Sequence, residues 1–308
     1  MALEKEIWIA DIQEQLFQAN PFMSRATDHS QFVNYKTVHV PQAGANQGVK
    51  KNRASLPAAI NQRTDSELTY SLNEYTSDPI LLTKIEELQI SYSKRQSVLS
   101  NTISTLSESV ANQSLYAWAP SGAGRILRTS GSAVGTALAP GASGTRKAIT
   151  LDDIAALKAK LDNDKGVPQD GRILLMPSDI YNTQFLAISE VKQAYAWGQA
   201  NLPSGVVGRV MGFEIMLRPN TLVYDNTGTP VIKSISDDGT VTTTATSDNL
   251  GILAYHPRFV AHALGEIQVF SDEDKPEYYG SIFSSLVMHG ASKLRTDQVG
   301  VAALVQTT

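Results

Sequence analysis

No cysteine occurs among the 308 residues, which excludes disulfides, thiolate metal sites and cysteine nucleophiles. Charge is sparse as well. Asp, Glu, Lys and Arg together make up 18% of the chain, against about 25% in ordinary soluble domains. A surface with few charges leaves neutral area for partners. The net charge of -4 excludes a protein that wraps nucleic acid through one continuous basic face, although local basic patches stay open. Met1 to Ile9 carries Glu4 and Glu6 between its apolar positions, and so lacks the basic start and unbroken apolar run of a signal peptide. No segment approaches the ~20 apolar residues that cross a bilayer. These absences predict a protein made and kept in the cytoplasm, with no membrane association.

What is present reads as α+β. Leu3 to Gln18 places Ile7, Ile9, Ile12, Leu16 and Phe17 as apolar positions, the pattern of a short amphipathic helix or of an extended arm that docks elsewhere. Phe32 to Val40 alternates and predicts a strand stopped by Pro41. The following PQAGANQGVKKNR, Pro41 to Arg53, is glycine-rich and then basic, with hardly a side chain to bury. It must project. Glu67 to Tyr75 alternates again, with Leu68, Tyr70 and Leu72 on one face. Two strands around so long a polar tip make an extended hairpin, and a connection of that length points to contact with another chain.

A helix is predicted from about Ser91 to Trp118, with Tyr92, Leu99, Ile103, Leu106, Val110 and Ala117 on its apolar face. Its other face is Ser, Thr, Asn and Gln. That is unusual for a helix in open water, though an ordinary surface helix is the competing reading. Ala119 to Lys147 is rich in Gly, Ser, Ala and Pro and reads as an irregular linker. Thr150 with Asp153 three residues on predicts a capped helix bearing Leu151, Ile154, Leu157 and Leu161 on one face and ending by Lys165-Gly166. Arg172 to Met176 predicts a buried strand closed by Pro177, with a short helix starting at Ser178. Strands and turns follow, with Asp238-Gly239 as a hairpin turn. The remaining strands are expected at 251–255, 259–264, 267–270, 281–290 and 299–305. There is no regular βαβ alternation and no internal repeat.

The search for chemistry yields no convergent set. The histidines His29, His39, His256, His262 and His289 form no HExxH pair, so ordinary packed or polar histidines are favoured over a metal site. Gly141-Ala142-Ser143-Gly144 lacks the strand-turn-helix elbow of a serine nucleophile. Gly122-Ala123-Gly124 lacks a third glycine, and no GxxxxGK[ST] phosphate loop occurs. Asp272-Glu273-Asp274 reads as a solvated turn in preference to a cation site. The basic cluster Lys50, Lys51 and Arg53 suits either phosphate or acidic residues of a neighbouring subunit, the second being preferred. No catalytic, cofactor or metal residues are assigned, and the chain is expected to be no enzyme.

The order of elements resembles the Hong Kong 97-type (HK97-like) fold of tailed-bacteriophage major capsid proteins over essentially the whole chain. Two stretches carry the likeness most specifically. RILLMPSDIY, Arg172 to Tyr181, is similar to a strand-then-proline segment of the family's axial domain. Tyr278 to Val305 resembles its closing strands, with Gly290 and Arg295 in the G-x-x-x-x-R turn followed by Asp297. The resemblance implies an N-terminal arm at 1–31 and an E-loop hairpin with flanking strands at 32–78. It implies a spine helix and linker of the peripheral (P) domain at 79–149, an axial (A) domain at 150–265, and closing P-domain strands at 266–308. The tip residues Gly44, Gly48, Lys50, Lys51 and Arg53, and the arm residues Ile7, Ile9, Ile12 and Phe17, become expected inter-subunit contacts.

On this resemblance the chain would build hexamers and pentamers of an icosahedral shell in the host bacterial cytoplasm. The shell, the virion capsid of a tailed phage or prophage, would enclose double-stranded DNA without sequence-specific binding. The chain starts almost directly with the arm, so a scaffolding protein would be separate; a portal and a decoration protein are the other implied partners. Some relatives cross-link through an E-loop lysine, but no acceptor is identifiable here and that activity is not carried over. The alternatives are an encapsulin-like nanocompartment shell and, from another class, an unrecognised hydrolase.

Overall fold

Alternate residues of the same strands enter two different cores. In Arg172–Pro177, Ile173 and Leu175 belong to one cluster while Leu174 and Met176 belong to another. The same parity divides Leu253 and Tyr255 from Ile252 and Ala254, and Val301, Ala303 and Val305 from Ala302 and Leu304. A sheet covered on both faces needs apolar residues at every position. That is why these segments read as unbroken apolar runs.

This arrangement is seen in a computed structural model, which describes residues 12, 20–42, 51–52, 65–83, 94–191, 206–225, 228–243 and 247–308. The doubly covered sheet has eight strands. Its main path runs Val206–Val210, Phe213–Arg218, Arg172–Pro177, Asp248–Tyr255, Leu222–Asp225 and Val231–Ile232. On the opposite side of Asp248–Tyr255 lies Val301–Val305, followed by Ile126–Arg128. One face meets helix α1, Lys94–Trp118, which buries Ile103, Leu106, Val110, Leu115 and Trp118. The other meets helix α2, Leu151–Asp162, through Ile154, Leu157 and Leu161.

The expected capping box is present at the start of α2. Thr150 accepts from the Asp153 amide at 3.2 Å, and Asp153 accepts from the Thr150 amide at 2.9 Å. Asp153 also accepts from the amide and hydroxyl of Ser130, so the cap ties the preceding loop to the helix. Ser178–Ile180 forms the short helix expected after Pro177 and runs on as a π-turn through Phe185.

A second sheet of five strands is built on the long hairpin Val260–Lys275 and Gly280–Lys293, joined by Thr27–Asp28, Asn73–Thr76 and Ile80–Thr83. Helix α1 shares the first core with this sheet through Val260 and Val287. A third sheet pairs Val33–Asn34, Thr37–Gln42 and Ser66–Ser71.

Four expectations are corrected. The stretch read as a linker, 119–147, contains the strand Ile126–Arg128, because Ala303 to Val305 offer it a parallel partner far along the chain. Pro41 does not stop its strand. Beyond Val38, among the described residues, only Ser66–Ser71 flanks it, and a proline is tolerated on a sheet edge. The strands expected at 259–264 and 267–270 are one strand interrupted by a register shift between Leu264 and Ile267. Asp272-Glu273-Asp274 is not a turn but the end of that strand, where Asp272 pairs with Lys275 at 2.8 Å.

Candidate functional site

The hairpin of Thr37–Gln42 and Ser66–Ser71 is tightly held where it leaves the body of the protein. Its strands pair in register from Thr37 opposite Ser71 to Gln42 opposite Ser66. Val38 and Leu72 are buried there with Ala263 of the long hairpin, and Val40, Tyr70 and Met288 pack around them. The Leu72 amide donates to the Lys36 carbonyl at 2.8 Å, Lys36 pairs with Glu74, and Gln42 donates to the Leu294 carbonyl. Of the tip residues, Lys51 is exposed. Gly44, Gly48, Lys50 and Arg53 lie outside the described residues, as do Ile7, Ile9 and Phe17 of the arm. Ile12 is buried in the first core of its own chain. Further along, Phe22 meets Trp118 edge to face at 5.8 Å, and the Arg218 guanidinium lies over the Phe22 ring.

The uncharged face of α1 has two uses. Asn112 donates to the Gly239 carbonyl at 3.1 Å and Gln113 to the Ser236 carbonyl at 2.7 Å, clamping the turn 236–239 onto the helix. Gly239 sits at φ +80, and a Cβ there would lie 2.8 Å from the Cα of Ser109. The close approach therefore requires glycine on two counts. N-terminal to this clamp, Asn101, Thr102 and Thr105 form one wall of a trough of about 860 Å³. Its other walls are the edge strand Asn73–Thr76 and the turn residues Asp237 and Asp238. Glu74, Asp78, Asp237 and Asp238 make the rim acidic. The side chain and then the amide of Thr240, both bonded to the Asp238 carboxylate, hold its pKa below the ordinary value.

Two turn apices present tyrosines in the left-handed region. Tyr35 is 95% exposed at φ +55, and Tyr279, at the tip of the long hairpin, is 77% exposed at φ +48. That backbone region is costly for a bulky residue, by about 1–3 kcal/mol, and here it holds an aromatic ring out in solvent. Near the other end of the long hairpin, Lys293 donates to the Ala117 and Ala119 carbonyls at 3.2 and 2.6 Å. A cation there complements the C-terminal end of the helix, while burial lowers the lysine pKa.

Of the residues weighed for chemistry, His29, His262 and His289 come together on or beside adjacent strands, and the others are spread out. His256 caps a short 3-10 turn by accepting from the Arg258 amide, His39 pairs with Glu67, and Arg295 pairs with Asp297 through two hydrogen bonds. Among the described residues no group of three or more His, Asp or Glu is placed to hold a metal. Sequence reasoning missed the trough and the tyrosine apices. The available signal was Tyr278-Tyr279 directly after Pro276-Glu277, an aromatic pair in turn composition.

No family model matches the sequence and no curated protein matches it. Solved structures do. The capsid of cyanophage P-SCSP1u aligns at TM-score 0.61 and 15% identity, over 91% of this chain and 85% of that one. The capsid of Ralstonia phage GP4 aligns at TM-score 0.63 and 10% identity, over 92% and 87%. A virus-like particle from Pyrococcus furiosus aligns at TM-score 0.56 and 9% identity, over 98% and 99%. The chain thus shares its α+β fold with the subunits of these phage capsids and of the virus-like particle.

Proposed function

We propose that this chain is the major capsid protein of a tailed phage or prophage, assembling into hexamers and pentamers of an icosahedral shell around double-stranded DNA. The observation that carries the proposal is the match of nine-tenths of the chain to capsid structures, joined to a hairpin whose polar tip has nothing of its own to bury. A hairpin of that kind is not stable alone, so it gains order by lying across a neighbour. Many modest contacts then add up by closure and multivalency.

In this reading residues 1–31 and 32–78 are the arm and clasp. The A domain spans 150–265, and the P domain combines 79–149 with 266–308. Lys50, Lys51 and Arg53, with Gly44 and Gly48, meet acidic surface on the next subunit, and the acidic trough is the matching chemistry. Ile7, Ile9 and Phe17 are arm contacts, and Ile12 anchors the arm's root. A scaffolding protein, a portal and a decoration protein are the further partners. The second reading, an encapsulin-like compartment, draws on the near-complete mutual coverage with the Pyrococcus particle. Purified particles separate the two, since a phage shell holds DNA and a compartment holds protein cargo.

The test replaces Gly44 to Arg53 with a short turn and follows secondary structure by circular dichroism and assembly by electron microscopy. The expected result is a folded subunit that no longer closes shells. A shortened chain that still forms normal particles sinks the clasp assignment. A full chain that forms no capsomers or particles, even with its scaffold, sinks the shell reading itself.

A further inference from the structure

His262 and His289 lie on adjacent strands of the long hairpin with their rings stacked, centroids 5.8 Å apart and planes 18° from parallel. Both are buried, at 3% and 1% exposure. Three other elements meet at this pair. The N-terminal strand Thr27–Asp28 runs alongside with Asp28 in register with His262, and the His29 amide donates to the His262 carbonyl at 2.9 Å. The projecting hairpin contributes Tyr70, whose hydroxyl is 3.3 Å from His29 Nδ1. Helix α1 contributes Ser114, whose Oγ is 3.4 Å from His289 Nδ1.

The hydrogen-bond inventory fixes what His289 can tolerate. Ser114 donates its own proton to the Val110 carbonyl at 2.7 Å, which leaves its oxygen to accept from a protonated Nδ1. The neutral Nδ1–H tautomer follows, and Nε2 has no hydrogen-bond partner among the described residues. A proton added at Nε2 would therefore meet no acceptor in a buried site. The ionisable surroundings decide which histidine is most affected. Asp28 faces His262 and His29 and favours their charged forms. Across a cavity of about 310 Å³, His289 meets Tyr75, Tyr116 and Lys233, the last paired with Asp248. None of these is a carboxylate that touches it, and α1 brings only Ser114 to its ring.

We propose that His29, His262 and His289 form an acid-sensitive latch that holds the N-terminal segment and the root of the projecting hairpin to the sheet and helix while neutral, and releases both when charged. The consequence for a shell rests on the capsid reading. The latch itself is a property of the single subunit.

The direction of the effect follows from linkage. Burial pushes His289 down to about 3, with His262 adding to it and Asp28 opposing; burial likewise lowers His262 and His29. A histidine with a depressed folded pKa contributes its stability above the unfolded value of about 6.5. That contribution falls away as the pH drops from there toward the folded pKa. Within this window each histidine shifts the closed-to-open equilibrium about tenfold per pH unit.

The experiment uses the full chain as dissociated subunit, with Trp8 and Trp197 replaced by Phe. The remaining Trp118 donates to the carbonyl of Ala261, next to His262, and reports locally. Fluorescence is followed from pH 7.5 to 4, together with hydrogen exchange of 27–32 and 66–72. The expected result is opening with a slope of about three protons, about a thousandfold per pH unit, with exchange rising in those segments while Asp248–Tyr255 stays protected. H289Q should lower the slope by about one proton, and D28N should move the midpoint to higher pH. A slope unchanged in both H289Q and H262Q overturns the latch. So does exchange rising uniformly over the chain, which is plain acid unfolding. If either variant fails to fold, the wild-type slope and exchange pattern decide alone. Because no shell is needed, failure of the capsid reading leaves this result standing.

Discussion

The indole Nε1 of Trp118 donates to the carbonyl oxygen of Ala261 across 3.0 Å, joining the last turn of α1 to the strand that begins the long hairpin. Trp118 is fully buried and also packs on Phe22 and Tyr255. One side chain thus gathers the N-terminal segment, the helix, the central sheet and the long hairpin.

Trp118→Phe keeps most of the apolar contact and removes the donor of this hydrogen bond. The expected loss is about 0.5–1.5 kcal/mol for the bond, with a further cost for the smaller ring. A urea unfolding curve should show a lower midpoint at unchanged slope. A midpoint equal to wild type would mean that this hydrogen bond contributes nothing net.

Asp153 should matter more than Thr150. Thr150→Ala removes one cap and should cost about 1 kcal/mol. Asp153→Ala deprives the Thr150 amide and both Ser130 donors of their acceptor, for about 2–3 kcal/mol. Thermal melts of the two variants side by side give the ranking, and the reverse order would refute the view that the loop hangs on this carboxylate.

Two left-handed glycines should respond differently to alanine. At Gly300, φ +79, a methyl would overlap the Phe259 ring and sit 2.9 Å from its Cβ; at Gly166, φ +90, it would meet open space. Gly166→Ala should cost only the left-handed penalty of about 1–2 kcal/mol. Gly300→Ala should add about 1–3 kcal/mol of overpacking to that penalty. Equal melting temperatures for the two variants would contradict the packing around Phe259.

Local chemistry was the most readable part of the sequence. Thr150 and Asp153 are three residues apart, and the cap they form depends on little else. The buried strand at Arg172 was readable because a sheet covered on both faces writes itself as an unbroken apolar run. Ile126 to Arg128 gave no such sign, because its partner lies some 177 residues away (Ile126 to Ala303) and only the folded sheet selects those three residues from a glycine-rich stretch. The histidine pair was hidden for the same reason. His262 and His289 are brought together by the strand register, and each alone looks like a polar residue in an alternating strand. The pairing of Thr37–Gln42 with Ser66–Ser71 was legible as two alternating segments, whereas the acidic trough needed three separate segments to be folded together.

The long hairpin also has the dimensions of a lever. Its first strand has 16 residues, and at about 3.3 Å of rise each they span roughly 50 Å. The root, where Ala261 and His262 sit, is the fulcrum, and the exposed ring of Tyr279 rides at the far end. By that geometry a tilt of about 5° at the root carries the tip roughly 4 Å. That distance takes a side chain from full contact with a surface to complete separation from it. Small rearrangements around a few buried residues would then be felt as gain or loss of grip at a distant point, without any change in the strands between.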